Sequence, residues 1–373
     1  MKTKNKFRFL LVAALGIVTM TSCDPKTEVE EKPSFIISTG LLVLNSGKMD
    51  ANNSTLNYYD STTQVNNADA FNIKNNRGLG DTGQDMIKYG GKIYISVYGS
   101  GIIEVIDAKT AVSTKTISVT NIIPGSKCYP RYFAIANGKV YVTVWDKTLA
   151  IEGKGTVAML DTTSLTITKT TTVGSYPEKC AIVNNKLYVA NSGGLNKTKD
   201  STMSIVDLTS FTEIKKIKVG LNPGSLLADN YGDVYVITNG NYGSIKPLLV
   251  KFDTNAEKIT ELPNIKATHM AIAGDKAYMY YSDYDALWTV QNKQFSVYDV
   301  KNDPATTTNF ISADLIKTNT SSIDIDPITN LVYISETDYT NNGTMHCYDQ
   351  TGVEKYKFTT GLNPQKVIFL SKK

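Results

Sequence analysis

The chain has few of the residues that most enzyme and metal sites require. It contains only two histidines, His269 and His346, and they are far apart in the sequence. No zinc-protease helix, phosphate-binding loop, nucleophile elbow or Ser-His-Asp arrangement is present in the sequence. These deficits predict no catalytic residue and no metal site, and they favour a binding protein over an enzyme.

Cysteine is also scarce. Apart from Cys23 the chain has Cys128, Cys180 and Cys347, an odd number at irregular spacing. This pattern fits neither a disulfide framework nor a zinc site. We therefore predict buried free thiols at these three positions.

Charge of one sign and long apolar runs are lacking as well. The chain has 39 Lys and Arg against 35 Asp and Glu, and the basic residues are spread along it. Nucleic acid is therefore not an expected partner. Beyond Cys23 no apolar stretch approaches the roughly 20 residues that a membrane-spanning helix needs. A lipid is then the only membrane anchor that the sequence offers.

The N-terminus is typical of a bacterial lipoprotein signal. Basic residues precede a short apolar run over 10–18, and two small residues stand directly before Cys23. We predict a signal peptide over 1–22, lipidation of Cys23, and a charged flexible tether over 23–38. An ordinary secretory leader with an incidental cysteine is the alternative. Acidic residues behind Cys23 resemble the surface-export signal of Bacteroidetes lipoproteins, which implies an outer-membrane protein facing the exterior.

Two sequence markers recur along the chain at a period of roughly 45 residues. The first is a tyrosine between two apolar residues, found at Tyr94, Tyr141, Tyr188, Tyr235, Tyr278 and Tyr333. The second is an aspartate that ends a short alternating segment, found at Asp60, Asp107, Asp161, Asp207, Asp253, Asp299 and Asp349. The two markers keep their order, so we interpret them as parts of one repeated structural unit.

One repeat shows its four strands clearly. Segments 131–136 and 139–145 flank Asn137-Gly138, a dipeptide typical of a two-residue hairpin turn. The third and fourth strands are predicted over 156–161 and 165–173, and a Gly-x-x-Pro crossing leads into the next repeat. Four antiparallel strands per repeat, without a helix, predict the blade of a β-propeller.

The two ends of the chain complete the ring. A single strand, 366–370, follows the last crossing, and three strands, 41–44, 55–60 and 64–71, precede the first complete repeat. Pairing them gives a seventh blade and leaves no unpaired sheet edge at the seam. We therefore predict an all-β fold, a seven-bladed β-propeller over 39–373.

Tyrosine strands that lead to an asparagine, Tyr188-Val189-Ala190-Asn191 and Tyr235-Val236-Ile237-Thr238-Asn239, resemble the YVTN repeat. With its Val-Gly-x-x-Pro crossings, the chain resembles the YncE-like surface propellers over nearly its whole mature length. Among their lipidated Bacteroidetes members is the cobalamin-binding BtuG family. The resemblance implies capture of vitamin B12 and other corrinoids, and delivery to a TonB-dependent outer-membrane transporter. It implies cobalamin as a bound ligand, no catalytic cofactor, and a monomer outside the transporter complex.

The long loops define the face where we expect a ligand. In a propeller the crossings and the loops between second and third strands open on one face, and the tight turns lie on the other. Both tryptophans and several tyrosines fall on the long-loop face, and such loops commonly carry function. The candidate ligand-binding residues are Tyr98, Arg131, Tyr132, Trp145, Tyr176, Asn191, Asn239, Tyr242, His269, Tyr284, Trp288 and Tyr339.

The crossings also predict a ring of side chains around the central pore. Its equivalent positions are Gln84, Arg131, Glu178, Thr268, Ser321 and Gln365, followed by Asp85, Tyr132, Lys179, His269, Ser322 and Lys366. Aromatic rings beside Asn, Gln and Ser suit a corrinoid, which has apolar ring faces and carboxamide arms. We expect His269 to contact the ligand or, less favourably, its cobalt, and His346, which falls within a strand, to be a packed or rim residue rather than a ligand.

Two other functions remain open at this point. The same face suits a recognition scaffold for surface glycans or proteins. Propeller lactonases and quinoproteins also keep open a metal-assisted hydrolase in the central channel.

Overall fold

The computed structural model describes residues 39–146, 148–149, 153–285 and 289–370. The predicted signal peptide, Cys23 and the tether lie outside the described residues. Within the described ranges, no helix is both long enough and apolar enough to cross a membrane.

The described chain forms seven sheets of four antiparallel strands, arranged as the blades of a propeller. The first three strands are β1 (Leu41–Asn45), β2 (Thr55–Asp60) and β3 (Val65–Asn67). Blade 1 consists of β4 (Gly83–Tyr89), β5 (Lys92–Val97), β6 (Ile102–Asp107) and β7 (Ser113–Ser118). Blade 2 consists of β8 (Cys128–Ala136), β9 (Lys139–Asp146), β10 (Lys154–Asp161) and β11 (Thr166–Gly174). Blade 3 consists of β12 (Pro177–Val183), β13 (Lys186–Asn191), β14 (Thr202–Asp207) and β15 (Thr212–Lys218).

The remaining blades follow the same order. Blade 4 consists of β16 (Pro223–Ala228), β17 (Asp233–Thr238), β18 (Leu248–Asp253) and β19 (Lys258–Glu261). Blade 5 consists of β20 (His269–Ala273), β21 (Lys276–Tyr284), β22 (Val290–Asp299) and β23 (Thr308–Asn309). Blade 6 consists of β24 (Ile323–Ile325), β25 (Val332–Glu336), β26 (Asn342–Tyr348) and β27 (Glu354–Leu362). The last strand is β28 (Pro364–Phe369).

Blade 7 closes the ring as predicted. Its sheet order is β28-β1-β2-β3, and β28 pairs antiparallel with β1 through Val43 and Val367. We call the strands of each blade A to D from the axis outward, so β28 is the A strand of blade 7. Each A strand contacts the A strands of both neighbouring blades, so seven A strands surround the axis.

The outer strand of blade 7 is shorter than its predicted range of 64–71, which was wrong in its second half. β3 ends at Asn67, and a short helix, α1 (Ala70–Asn75), follows. The Asp69 carboxylate accepts a hydrogen bond from the Asn72 N–H at 3.1 Å and caps this helix. Phe71 is fully buried against the core between blades 7 and 1. A strong N-cap and a buried aromatic side chain therefore override the strand pattern. A 3-10 turn (Ala313–Leu315) precedes blade 6.

The repeated tyrosine lies on the B strand and packs between blades. Tyr94 of blade 1, for example, is buried with Phe133 and Val142 of blade 2. The five other marker tyrosines occupy equivalent apolar clusters with the next blade. An aromatic side chain buries a large area, so this marker links each blade to its neighbour.

The repeated aspartate ends the C strand and stabilises the following turn. Asp161 Oδ1 accepts hydrogen bonds from the backbone N–H groups of Thr163 and Ser164, at 2.9 and 2.7 Å. The six other marker aspartates accept from backbone groups of their own turns. Such side-chain acceptors favour tight turns, which explains why the residue recurs at this point of each blade.

The three cysteines beyond residue 38 are free and buried, as predicted. Burial raises the pKa of the Cys128 thiol to about 11, and the nearby Asp146 carboxylate contributes in the same direction. Burial also raises the pKa of Cys180. These thiols are protonated at neutral pH and therefore weak nucleophiles.

Candidate ligand-binding site

A cavity of about 960 Å³ follows the propeller axis. Its wall is formed by the A strands of all seven blades. It also includes Tyr242 from the B–C loop of blade 4 and Tyr284 at the end of the B strand of blade 5. The cavity therefore extends to the long-loop face.

The structure brings the predicted ring positions together. All twelve, from Gln84 and Asp85 in blade 1 to Gln365 and Lys366 in blade 7, line the cavity. Sequence reasoning missed blade 4, whose residues at the same position are Gly224 and Ser225. The sequence did contain a signal for these two residues, because a proline, Pro223, stands directly before them. Pro177 and Pro364 stand in the same way before the equivalent pairs of blades 3 and 7.

One side of the cavity carries ionised groups that contact one another. Arg131 Nη2 and Nε lie 2.7 and 3.2 Å from Glu178 Oε2 in the next blade. Arg131 Nη1 donates to Gln84 Oε1 in the preceding blade, and Gln84 donates in turn to the Tyr132 hydroxyl at 2.8 Å. Burial has the largest single effect and would lower the pKa of Arg131, but the charge and hydrogen bond of Glu178, together with the neighbouring tyrosines Tyr132 and Tyr98, raise it overall. Arg131 therefore connects three blades as a cation.

Two carboxylates on this side hold neighbouring A strands together. Asp85 Oδ2 accepts from the Phe133 N–H of the next blade at 3.0 Å. Asp324 Oδ2 accepts in the same way from the Val367 N–H at 3.1 Å, and Asp324 Oδ1 accepts from Lys366 Nζ. We call Asp85, Arg131, Glu178, Asp324 and Lys366 the charged arc; it runs from blade 6 through blades 7, 1 and 2 to blade 3.

An aromatic cluster packs against Arg131 of the charged arc. It contains three predicted site residues, Tyr98, Trp145 and Tyr176, together with Tyr129. The Arg131 guanidinium lies 4.2 Å from the centroid of the Trp145 ring. Trp145 and Tyr176 are buried, and the indole N–H of Trp145 donates to Pro177 O at 3.1 Å. The structure thus places Tyr98 and Trp145 against Arg131, with Tyr176 packed on Trp145, and the burial of Trp145 and Tyr176 leaves these two little surface for a ligand.

The two predicted asparagines lie in different surroundings. Asn191 is buried within blade 3, where its amide donates to the Ser204 and Thr202 hydroxyls at 2.9 and 3.0 Å. It is not part of the cavity wall. Asn239 lines the cavity at the start of the blade 4 B–C loop.

Three predicted tyrosines form an exposed rim at the cavity mouth. Tyr242, Tyr284 and Tyr339 are 63%, 41% and 47% exposed. Tyr242 and Tyr284 line the cavity, and the Tyr339 phenol lies beside that of Tyr284. Tyr242 and Tyr339 have φ values of 57° and 61°, a conformation that bulky side chains rarely adopt. The predicted contact residue Trp288 lies outside the described residues.

The opposite side of the cavity, over blades 4 to 6, carries uncharged polar groups. We call Ser225, His269, Thr320 and Ser322 the neutral arc; all four line the cavity. Among the residues that the structure describes, none forms a hydrogen bond with the hydroxyls of Ser225, Thr320 or Ser322, or with His269 Nδ1. Burial, with the nearby positive charge of Lys179, lowers the pKa of His269 to about 4. The imidazole is therefore neutral at pH 7.

His346 lies in the C strand of blade 6, and it is buried, as the sequence predicted. Its Nδ1 and Nε2 lie 2.8 and 3.0 Å from carboxylate oxygens of Glu354 and Glu336. Within the described ranges, no group of three or more His, Cys, Asp or Glu side chains is arranged to hold a metal ion.

Residues 39–370 match a single family over the whole described ring. The chain belongs to the family described as Domain of unknown function (DUF5074). No curated protein shows significant similarity to the chain.

Solved structures share the architecture at low sequence identity. A quinonprotein alcohol dehydrogenase-like protein from Bacteroides thetaiotaomicron has a TM-score of 0.66 at 16% identity, over 90% of this chain and 79% of that one. A hypothetical selenium-binding protein from Sulfolobus tokodaii has a TM-score of 0.64 at 10% identity, over 91% and 94%. A dihydro-heme d1 dehydrogenase has a TM-score of 0.55 at 10% identity, over 90% and 75%. These likenesses concern the fold alone.

Proposed function

We propose that this propeller is a lipid-anchored binding protein that captures a corrinoid, such as cobalamin, at its long-loop face. It passes the corrinoid to a TonB-dependent transporter in the outer membrane and performs no catalysis itself. The observation that carries the proposal is the axial cavity, whose mouth has exposed tyrosines and whose wall has uncharged groups without partners.

The chemistry of a corrinoid matches both parts of this site. Its macrocycle has flat apolar faces, against which the rings of Tyr242 and Tyr284 can stack. Its arms end in carboxamides, which lose hydrogen bonds to water when they enter a cavity and need new partners there. Asn239, His269 and Ser322 offer such partners without introducing a charge.

The size of the cavity also suits this class of ligand. Pockets for small molecules commonly occupy roughly 300–1,000 Å³, and the present volume of about 960 Å³ lies at the upper end. A macrocycle at the mouth would insert its arms into the channel and leave one face toward the exterior. That arrangement leaves the ligand accessible to a transporter docked on the same face.

A titration with cyanocobalamin tests the proposal. Isothermal titration calorimetry and visible spectroscopy should both show binding to the native protein. Substituting Tyr242 and Tyr284 by Ala should weaken binding about tenfold or more, since each lost ring contact is worth about 0.5–1.5 kcal/mol beyond its buried area.

The matched control is Tyr231→Ala, which removes an exposed tyrosine from an A–B turn on the opposite face. It should leave the affinity unchanged. If the native protein produces neither heat nor a spectral change, the corrinoid proposal is wrong.

A glycan is the second candidate ligand, because exposed tyrosines can also stack on sugar rings. A glycan laid across the rim would depend on Tyr242, Tyr284 and Tyr339 but not on the neutral arc inside the channel. Binding of oligosaccharides that is lost with the rim tyrosines, and unchanged in Ser322→Ala, would favour this candidate over a corrinoid.

A further inference from the structure

Lys179 differs from Arg131 and Lys366, the two cations of the cavity wall that form ion pairs. It lines the cavity on the A strand of blade 3. Across the part of the chain that the structure describes, no carboxylate lies within ion-pair distance of its ammonium group, whereas Arg131 pairs with Glu178 and Lys366 with Asp324. Its Nζ lies 5.8 Å from the centroid of the Tyr132 ring.

The surroundings of Lys179 leave its charge poorly compensated. Burial lowers its pKa, and the positive charge of Lys366 adds to this effect. The negative charges of Asp85, Asp324 and Glu178 raise the pKa of Lys179, but by less than burial and Lys366 lower it. Each of these carboxylates is already engaged by another donor, as described for the charged arc.

Unpartnered hydrogen-bonding groups line the same cavity as this ammonium. Lys179 and His269 both line the cavity, and the charge of Lys179 contributes to the lowered pKa of His269. Ser225 and Ser322 line the same cavity, are 8% and 6% exposed, and have hydroxyls without a partner in the described part of the chain. A buried polar group without a partner is unfavourable for the folded state. A ligand oxygen placed here would satisfy groups that the protein leaves unsatisfied.

We propose that Lys179, Ser225, His269 and Ser322, which we call the channel neck, bind one phosphate group. The ammonium supplies the charge, and the two hydroxyls and the imidazole N–H supply hydrogen bonds. The hydroxyls are covered by neighbouring atoms, so each side chain reaches the phosphate by changing its χ1 rotamer. Assigning this phosphate to a ligand rests on the proposed corrinoid function, because cobalamin carries a single phosphodiester in its nucleotide loop and cobinamide carries none.

The first experiment uses inorganic phosphate as the probe. Thermal unfolding of the native protein is measured with sodium phosphate and with sodium chloride at equal ionic strength. Phosphate should raise the Tm of the native protein and leave that of Lys179→Gln unchanged, because a ligand that binds only the folded state stabilises it. The control Lys88→Gln removes another lysine from the same cavity wall and should respond to phosphate like the native protein.

Two results would overturn the channel neck as a phosphate site. One is a native Tm that phosphate does not raise above the chloride value; the other is an equal rise in Lys179→Gln. Since Lys179 has no ion pair to lose among the described residues, its replacement should not unfold the ring. Lys179→Met provides a second variant of similar size, and both should show the far-ultraviolet circular dichroism of the native protein.

The second experiment separates a ligand phosphate from free phosphate. Affinities for cyanocobalamin and dicyanocobinamide are measured by calorimetry in phosphate-free buffer. The native protein should prefer cyanocobalamin by about tenfold, since a hydrogen bond between charged groups is stronger than one between neutral groups. Lys179→Gln should lose this preference and Lys88→Gln should keep it.

The outcomes of the two experiments are distinct. Equal affinities of the native protein for both corrinoids would overturn the assignment of the neck to the corrinoid phosphate. Failure of both corrinoids to bind would instead overturn the proposed function, while the Tm shift with inorganic phosphate would still decide whether the neck binds phosphate.

Discussion

The charged arc and the neutral arc both line the cavity at or next to the A strands, yet their polar groups differ in what they contact. In the charged arc, Arg131, Asp85 and Asp324 each bond to a neighbouring blade. In the neutral arc, the hydroxyls of Ser225 and Ser322 have no partner among the described residues. Buried polar groups normally find partners. The difference indicates that the first arc holds the ring together, whereas the second leaves hydrogen-bonding capacity unused within the described residues.

The largest expected effect comes from breaking the charged arc. Glu178→Ala should lower the free energy of unfolding by about 3–5 kcal/mol, because it leaves the Arg131 cation buried without its carboxylate. Denaturant unfolding measures this loss. Glu257→Ala removes a carboxylate from a half-exposed pair with Lys215 and should cost far less, because solvent screens an exposed ion pair. Equal losses for the two variants would mean that the charged arc contributes no more than a surface ion pair.

A smaller effect concerns the pH dependence of the neutral arc. The folded pKa of His269, about 4, lies below its ordinary value of 6.5, so the unfolded chain binds a proton that the folded chain excludes. The stability due to the neutral imidazole is fully present above pH 6.5 and is lost as the pH falls toward 4. The loss should amount to about 3 kcal/mol.

This loss of stability on acidification can be tested by measuring the free energy of unfolding of the native protein and of His269→Gln between pH 7.5 and 4. The variant should lose less stability on acidification, because glutamine does not titrate. Parallel pH profiles for the two proteins would show that His269 is not held neutral by the fold.

The smallest expected change in stability belongs to Ser322→Ala. Its hydroxyl has no partner to lose among the described residues, so the free energy of unfolding should change by less than about 1 kcal/mol. Its affinity for cyanocobalamin should fall about tenfold if the hydroxyl contacts the ligand.

Ser335→Ala in the same blade provides the matched control. Its hydroxyl accepts from the Ser322 and Ser321 N–H groups at 2.8 and 3.0 Å, so its loss should cost about 1–3 kcal/mol of stability. If Ser322→Ala were less stable than Ser335→Ala and bound cyanocobalamin normally, the Ser322 hydroxyl would have a structural role and no role in binding.

Much of the fold could be predicted because its signals are local. The tyrosine of each B strand and the aspartate of each C–D turn act within one blade or at its border, so they recur at a regular period. Asn137-Gly138 forms the predicted turn between β8 and β9. The helix α1 escaped prediction because Phe71 continues an alternating pattern, and only its burial between two blades shows what it does.

The candidate site could be predicted only in part. Alignment of the crossings placed Arg131, Lys179 and His269 around one axis, where the structure also has them. It did not predict that Trp145 and Asn191 would be turned into the scaffold. The side chains of the long loops look alike in sequence, and their exposure depends on which neighbouring blade covers them.

The sequence by itself determined the repeat, the four strands of each blade, and the closure by β28, because alternation of side chains and turn residues acts over a few positions. Only the tertiary structure decided which polar groups are satisfied. Arg131 meets Gln84 and Glu178, each 47 residues away, while Lys179 and Ser322 lack equivalent partners among the described residues. Hydrogen bonding and desolvation depend on distances across the ring, and these exist only once all seven blades are in place.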